Sequence, residues 1–243
     1  MFEPVRYIKN TFSLIFEKNE KIRQMAKIFE DKLSDKYLPP QINPISDEFP
    51  PEIPRIIFSS KSGFSKIYIS QTNLSLSVKY SEDWQVDIKR GVEYFGLRIP
   101  RFLELLNNNN FKICYSGFNS ISRIKCLASL NDTLASLTSV YFNKCHGDID
   151  MALRFSKLID NKFYSNIEVK NYKLWNDNNI INTSKTSSAK IKEVGIQFSH
   201  DFNDRYLYNE VSDYKFDENN CNEIVKKGIQ IIDDESQKFF LRS

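Results

Sequence analysis

The chain is expected to fold as an α+β protein in which an internally duplicated antiparallel β-sheet carries long helices on one face. Three observations predict this. Leu74, Leu76, Val78 and Tyr80 alternate with Ser75, Ser77 and Lys79, the period of a strand with one buried and one polar side. Ile22, Met25, Ala26, Phe29 and Leu33, and later Ile88, Val92, Phe95, Ile99, Phe102 and Leu106, recur at helical spacing. The order strand, helix, two strands, long helix occurs twice, over residues 1–108 and 109–243, as parts of one continuous structural unit.

Val5 to Phe16 reads as a bent strand. Residues 19–37 read as a helix that must stop near Leu38, because Pro39-Pro40 cannot continue it. Pro39, Pro40, Pro44, Pro50, Pro51 and Pro54 crowd residues 39–54, which suit either a domain linker or a long connection within one domain. Short strands follow at Arg55 to Ser59 and around Ile67 and Ile69, with turns at Ser62-Gly63 and Gln71-Thr72-Asn73. Trp84 to Leu106 reads as a helix that Gly96 and Pro100 kink, ended by Asn107 to Asn110. Phe111 to Leu127 reads as extended chain, and Asn131 to Lys144 as a helix capped by Asn131 or Asp132. Met151 to Ile159 reads as a short helix or loop, and Asn166 to Trp175 as a strand. Residues 176–190 have the composition of a hairpin loop. Lys192 to Tyr208 reads as a long strand and Glu218 to Phe240 as the closing helix. The halves also match locally. Ser81-Glu82-Asp83-Trp84 leads into the first long helix and Ser212-Asp213-Tyr214 into the last, with Asp87 and Asp217 each three residues after the aromatic.

With 243 residues and a hydrophobic fraction of 41%, the chain can bury a sizeable core, and its 19 Phe and 12 Tyr read mainly as core. Lys and Arg number 34 against 31 Asp and Glu. The net charge of +3 lacks the basic excess of a dedicated nucleic-acid binder, although a local basic face stays open. Cys114, Cys126, Cys145 and Cys221 show no CxxC spacing and read as reduced, mostly buried thiols. Neither a signal peptide nor an apolar run of about 18 residues is visible, so no membrane partner and a cytoplasmic location are expected.

Two weak sites carry chemistry. Glu168-Val169-Lys170 falls on an expected strand, where alternation puts Glu168 and Lys170 on one side. Metal-dependent nucleases of the restriction type use Glu-x-Lys in this way, with an upstream acid for which Asp148, Asp150 and Asp160 are candidates and Asp150 is preferred. The plainer reading is a solvated strand face. The second site is a metal shared by His146, His200 and Asp201, since His and Asp ligate metals. Against it, Asp201 or Asp204 pairing with Arg205 at a turn accounts for the same cluster. No phosphate-cradling loop, nucleophile elbow, HExxH or EF-hand pattern is present, and no cofactor is expected.

From Arg55 to Leu106 the chain runs as an apolar strand, Ile-Tyr-Ile-Ser, Leu-Ser-Leu-Ser-Val-Lys-Tyr, an aromatic after Ser81 and a long helix. Asp201-Phe202-Asn203 and a closing helix follow later. In these features, over about two-thirds of its length, it resembles a sporadically distributed bacterial family with no assigned activity. Residues 131–160 have no counterpart in that resemblance, which supplies no catalytic residues. It implies a bacterial accessory protein, of a mobile or defence-related system, that works through contact with a partner protein. The leading expectation is therefore a non-enzymatic protein-binding module, with self-dimerisation through free sheet edges also open. Its rivals are a nuclease using Glu168 and Lys170, and a nucleic-acid binder using exposed Lys, Arg and Tyr.

Overall fold

In β1 (Arg6–Phe16) Tyr7, Phe12, Leu14 and Phe16 are buried on one side, while Thr11, Ser13 and Ile15 are half-exposed on the other. The same alternation builds β3 (Ile56–Ser59), β4 (Ser65–Ile69), β5 (Asn73–Lys79), β6 (Ile113–Lys125), β8 (Phe163–Trp175) and β9 (Ile191–Asn203). With the two-residue β2 (Gln41–Ile42) and β7 (Ala152–Ile159), they form one antiparallel sheet of nine strands, in the order β2-β3-β4-β5-β1-β6-β9-β8-β7. The protein is thus α+β, known from a computed structural model that describes residues 2–127, 129–142, 150–175 and 191–241. β1 and β6 pair along the middle of the sheet, so its N- and C-terminal strands are continuous. A register shift between Tyr7 and Lys9 supplies the expected bend.

The expected first helix is a 3-10 turn (Ile22–Met25) followed by α1 (Ala26–Leu33), which bury Ile22, Phe29 and Leu33. The expected helix over Trp84 to Leu106 is three helices: α2 (Glu82–Gln85), α3 (Ile88–Gly96) and α4 (Ile99–Asn107). Pro100 sits in the first turn of α4, where its missing N–H removes no intrahelical bond. α5 (Leu130–Phe142) is capped by Ser129 rather than by Asn131 or Asp132. Ser129 Oγ accepts from the Asp132 N–H at 3.3 Å, and Asp132 accepts from the Ser129 N–H at 2.9 Å. The expected strand over Lys192 to Tyr208 stops at Asn203 and is followed by α6 (Arg205–Glu210); α7 (Asn219–Phe240) closes the chain. Helices α1, α3, α4, α5 and α7 contribute buried residues to the apolar clusters beneath the sheet, whereas α6 does not.

Two readings are corrected outright. Met151 to Ile159 is neither helix nor loop but the edge strand β7, joined to β8 by a tight turn. Asp160 and Asn161 take left-handed φ values of 52° and 50° there, a region short Asx side chains tolerate. After its first helix the second portion therefore has three strands, and the first has four counting the two-residue β2, where two were expected. The matched junctions also differ: Ser81 directly precedes α2, whereas Ser212 lies several residues before α7 with α6 upstream. The hairpin loop expected over residues 176–190 lies outside the described residues.

Two arginines tie the Pro-rich stretch to the body of the protein. Gln41 and Ile42 pair with Ile57 and Ile56. The fully buried Arg55 donates to the carbonyls of Ile53 at 2.7 Å and Phe49 at 2.9 Å, and Arg23 reaches the Asp47 carboxylate and the Ile45 carbonyl.

The core is continuous from β3 to β8 beneath the helices. Phe12, Leu76, Ile67 and Phe118 meet Phe95, Phe102, Ile224 and Ile232, and a second cluster joins Ile124, Val169, Ile196 and Phe198 to Leu137 and Phe239. Gly228 allows the closest approach of α7, since a Cβ there would lie 2.8 Å from the Phe118 ring. No helix among the described residues is long and apolar enough to cross a membrane.

Candidate functional site: the polar face of the sheet

The side of the sheet away from that core is built from short polar and long charged side chains. Two in-register rows cross it. One runs Lys79, Lys9, Ile121, Ser199, Glu168, Arg154 over β5, β1, β6, β9, β8 and β7. The next runs Ser77, Thr11, Asn119, Asp201, Asn166, Ser156 over the same strands. Lys9, Ile121, Ser199, Glu168 and Arg154 of the first row and Thr11, Asn119, Asp201 and Asn166 of the second line a cavity of about 330 Å³. Four strand spacings separate β1 from β7, about 19 Å along a flat sheet, so this trough draws its lining from five strands.

Both flanks of the trough, along the strand direction, are packed. At one flank α6 lies against this face, with Tyr208 on Tyr115, Tyr206 on Tyr164 and the Arg205 guanidinium 5.7 Å from the Tyr115 ring. At the other, Glu193 accepts from Arg6 at 2.6 Å and from the Tyr172 hydroxyl, and Arg123 stacks 4.8 Å from the Tyr172 ring. Burial and the Glu193 carboxylate push the Tyr172 hydroxyl well above the usual tyrosine range, so it stays a donor.

Glu168 and Lys170 share this face, as alternation predicts, and pair with each other at 2.7 Å. Lys170 holds the Glu168 carboxyl below its ordinary range. Asp150 is not brought to them. It bonds Asn171 at 3.0 Å and Lys173 at 3.3 Å, residues of alternate parity to Glu168 and Lys170. Asp160 pairs with Lys227 of α7 at 2.5 Å. Asp148 and His146 lie outside the described residues, as does Cys145.

His200 and Asp201 point to opposite sides of β9. Asp201 is in the trough, accepting from Asn166 at 3.1 Å and Asn203 at 3.0 Å. His200 is buried under α7. Its Nδ1 lies 3.1 Å from the Gly228 carbonyl, which can only accept, so Nδ1 carries the proton and Nε2 accepts from Ser165 Oγ at 3.0 Å. Burial drives the imidazole down to about 4, against the opposing pull of the Gly228 bond. No group of three or more His, Cys, Asp or Glu side chains suited to a metal occurs among the described residues. Cys114, Cys126 and Cys221 are buried, unbridged thiols.

The pairing expected for Arg205 is replaced by another arrangement. Asp204 is fully buried and accepts from the Ser116 N–H at 2.6 Å and from Asn220 at 3.4 Å, joining β6 to the start of α7. Burial raises its carboxyl above the ordinary range despite these donors. Sequence reasoning also missed Lys9, Thr11, Asn119, Ser199 and Arg154, which belong to the site only through cross-strand register. No protein-family model and no curated protein matches this chain.

Proposed function

We infer that this protein is a non-enzymatic binding module that receives a protein partner on the polar face of its sheet, and that its two halves are copies of one unit. The strand order supports the duplication. Outward from the β1–β6 seam, one side runs β1, β5, β4, β3, with the two-residue β2 added at its edge, and the other β6, β9, β8, β7. Along the chain each portion gives a strand, a helix, a meander that shares a three-strand core, and further helices. The placement of α3, α4 and α7 in one core, beneath strands of both portions, supports a sheet whose long helices lie on one face.

The observation that carries the functional reading is the trough itself, a polar concavity spanning strands of both portions. Its hydroxyls, amides and charges suit recognition, and its Glu-x-Lys pair is closed on itself as an ion pair. The role follows the bacterial resemblance: an accessory protein that holds a partner from the same system, including a toxin or defence effector. The free edges of the sheet also offer pairing to a second copy, although Arg154 and Lys157 on β7 oppose a like strand.

The test is direct binding of purified neighbour-encoded proteins, each titrated calorimetrically against the wild-type chain and against Ser199→Trp, which fills the trough. The reading expects one to bind and Ser199→Trp to abolish its binding without changing thermal stability. Divalent-metal-dependent cleavage of nucleic acid, lost in Glu168→Ala, overturns the reading, as does binding that Ser199→Trp leaves intact.

A further inference from the structure

We propose that the trough takes an acidic, extended polypeptide segment, laid across the strands and held by Lys9 at one end and Arg154 at the other, with Lys79, outside the cavity, extending the basic end onto the neighbouring strand. The inference rests on the binding-module reading and gives the occupant its chemistry. Lys9 and Lys79 are directly opposite on neighbouring strands, on the same face, and both are exposed. Like charges in that position repel. Among the described residues neither has an ion-pair partner, so an anion is what the pair lacks. Arg154 is exposed on β7 opposite Glu168, whose carboxyl its charge helps to lower, while Lys170 holds that carboxylate at 2.7 Å. Among the described residues no hydrogen bond or ion pair within 4.0 Å engages the Arg154 fork, which suits a bidentate carboxylate.

Span and polarity choose among anions. Lys79 and Arg154 lie on strands five spacings apart, about 24 Å along the sheet. A small anion cannot touch both ends, whereas about seven extended residues cover that length. The floor also carries Asp201 and Glu168, which only accept hydrogen bonds and oppose a phosphate backbone. A polypeptide brings backbone N–H donors to Asp201 and its own carboxylates to the cations. Thr11, Asn119 and Ser199 between them are short enough to let a backbone approach the floor.

The probe is a fluorescein-labelled oligoglutamate of about eight residues, titrated by anisotropy with the full chain and compared with oligoglutamine of equal length and a labelled single-stranded oligonucleotide. Lys9→Glu/Arg154→Glu is set against Lys89→Glu/Lys226→Glu, which makes the same charge change at exposed positions on α3 and α7. The expected result is salt-dependent oligoglutamate binding, weakened at least tenfold in the first double variant and less than twofold in the second, with oligoglutamine inert. Equal losses in both variants, no oligoglutamate binding, or tighter oligonucleotide binding lost in Lys9→Glu/Arg154→Glu overturns the proposal. If oligoglutamate fails while Ser199→Trp still abolishes binding of a neighbour-encoded protein, the acidic occupant is wrong and the face is right. If Ser199→Trp also changes nothing, both readings fall.

Discussion

Replacing His200 with Gln should flatten the acid sensitivity of this fold. In the unfolded chain the imidazole titrates near 6.5; in the native protein burial holds it to about 4. Above 6.5 both states carry the neutral ring and His200 adds no pH dependence. As pH falls through 6.5 the unfolded chain takes up a proton that the native site refuses, so stability drops until the native site titrates near 4. The full gap is worth about 3 kcal/mol, and about 2 kcal/mol of it is lost by about pH 5. Asp204 and Asp233, whose carboxyls burial raises, act in the opposite sense and are common to both proteins. Urea unfolding at about pH 7.5 and about pH 5 reads the effect. With a slope of about 3 kcal/mol per M, the wild-type midpoint should fall by about 0.7 M more than that of His200→Gln. Equal falls in the two proteins would refute the assignment of His200 as a buried neutral ring clamped between Ser165 and Gly228.

Other expectations follow from single contacts. Gly195→Ala puts a Cβ 2.1 Å from the Ile124 carbonyl and should cost about 3 kcal/mol or more in thermal unfolding, whereas Gly96→Ala meets nothing within 4 Å and should gain about 0.5–1 kcal/mol. Arg55→Met removes the donors for the Phe49 and Ile53 carbonyls. It should cost about 3 kcal/mol and open residues 39–54 to limited proteolysis; an unchanged digestion pattern contradicts that role. Glu168→Ala breaks a half-exposed pair and should change stability by less than about 1 kcal/mol, checked by the same urea titration.

Period-two patterning made β1, β5, β6, β8 and β9 legible because each has one side in the core and one on the polar face. β7 escaped because Lys157 occupies an inward-facing position at the sheet edge, where it lies within 4.0 Å of Glu235, and so breaks the apolar rhythm. Its turn, Asp160-Asn161, was the available signal. The three-way break of the helix after Ser81 was only half legible, through Gly96 and Pro100. The site was less legible still. Glu168 and Lys170 are two apart in sequence and could be read. Lys9 and Arg154 are far apart in the chain and meet the same cavity only because four intervening registers line them up. His200 and Asp201 looked like one cluster, but strand alternation sends them to opposite sides, one to the core and one to the trough.

The account stands on the trough being open to a partner while the other side of the same strands is sealed by helices. Site-resolved labelling of the native protein with a bulky maleimide measures this directly, using Asn119→Cys and Ser199→Cys in the trough against Ser122→Cys in the core. The account predicts that the two trough thiols react at rates near those of a free thiol and that position 122 reacts only on unfolding. Protection of positions 119 and 199 to the level of position 122 would contradict it.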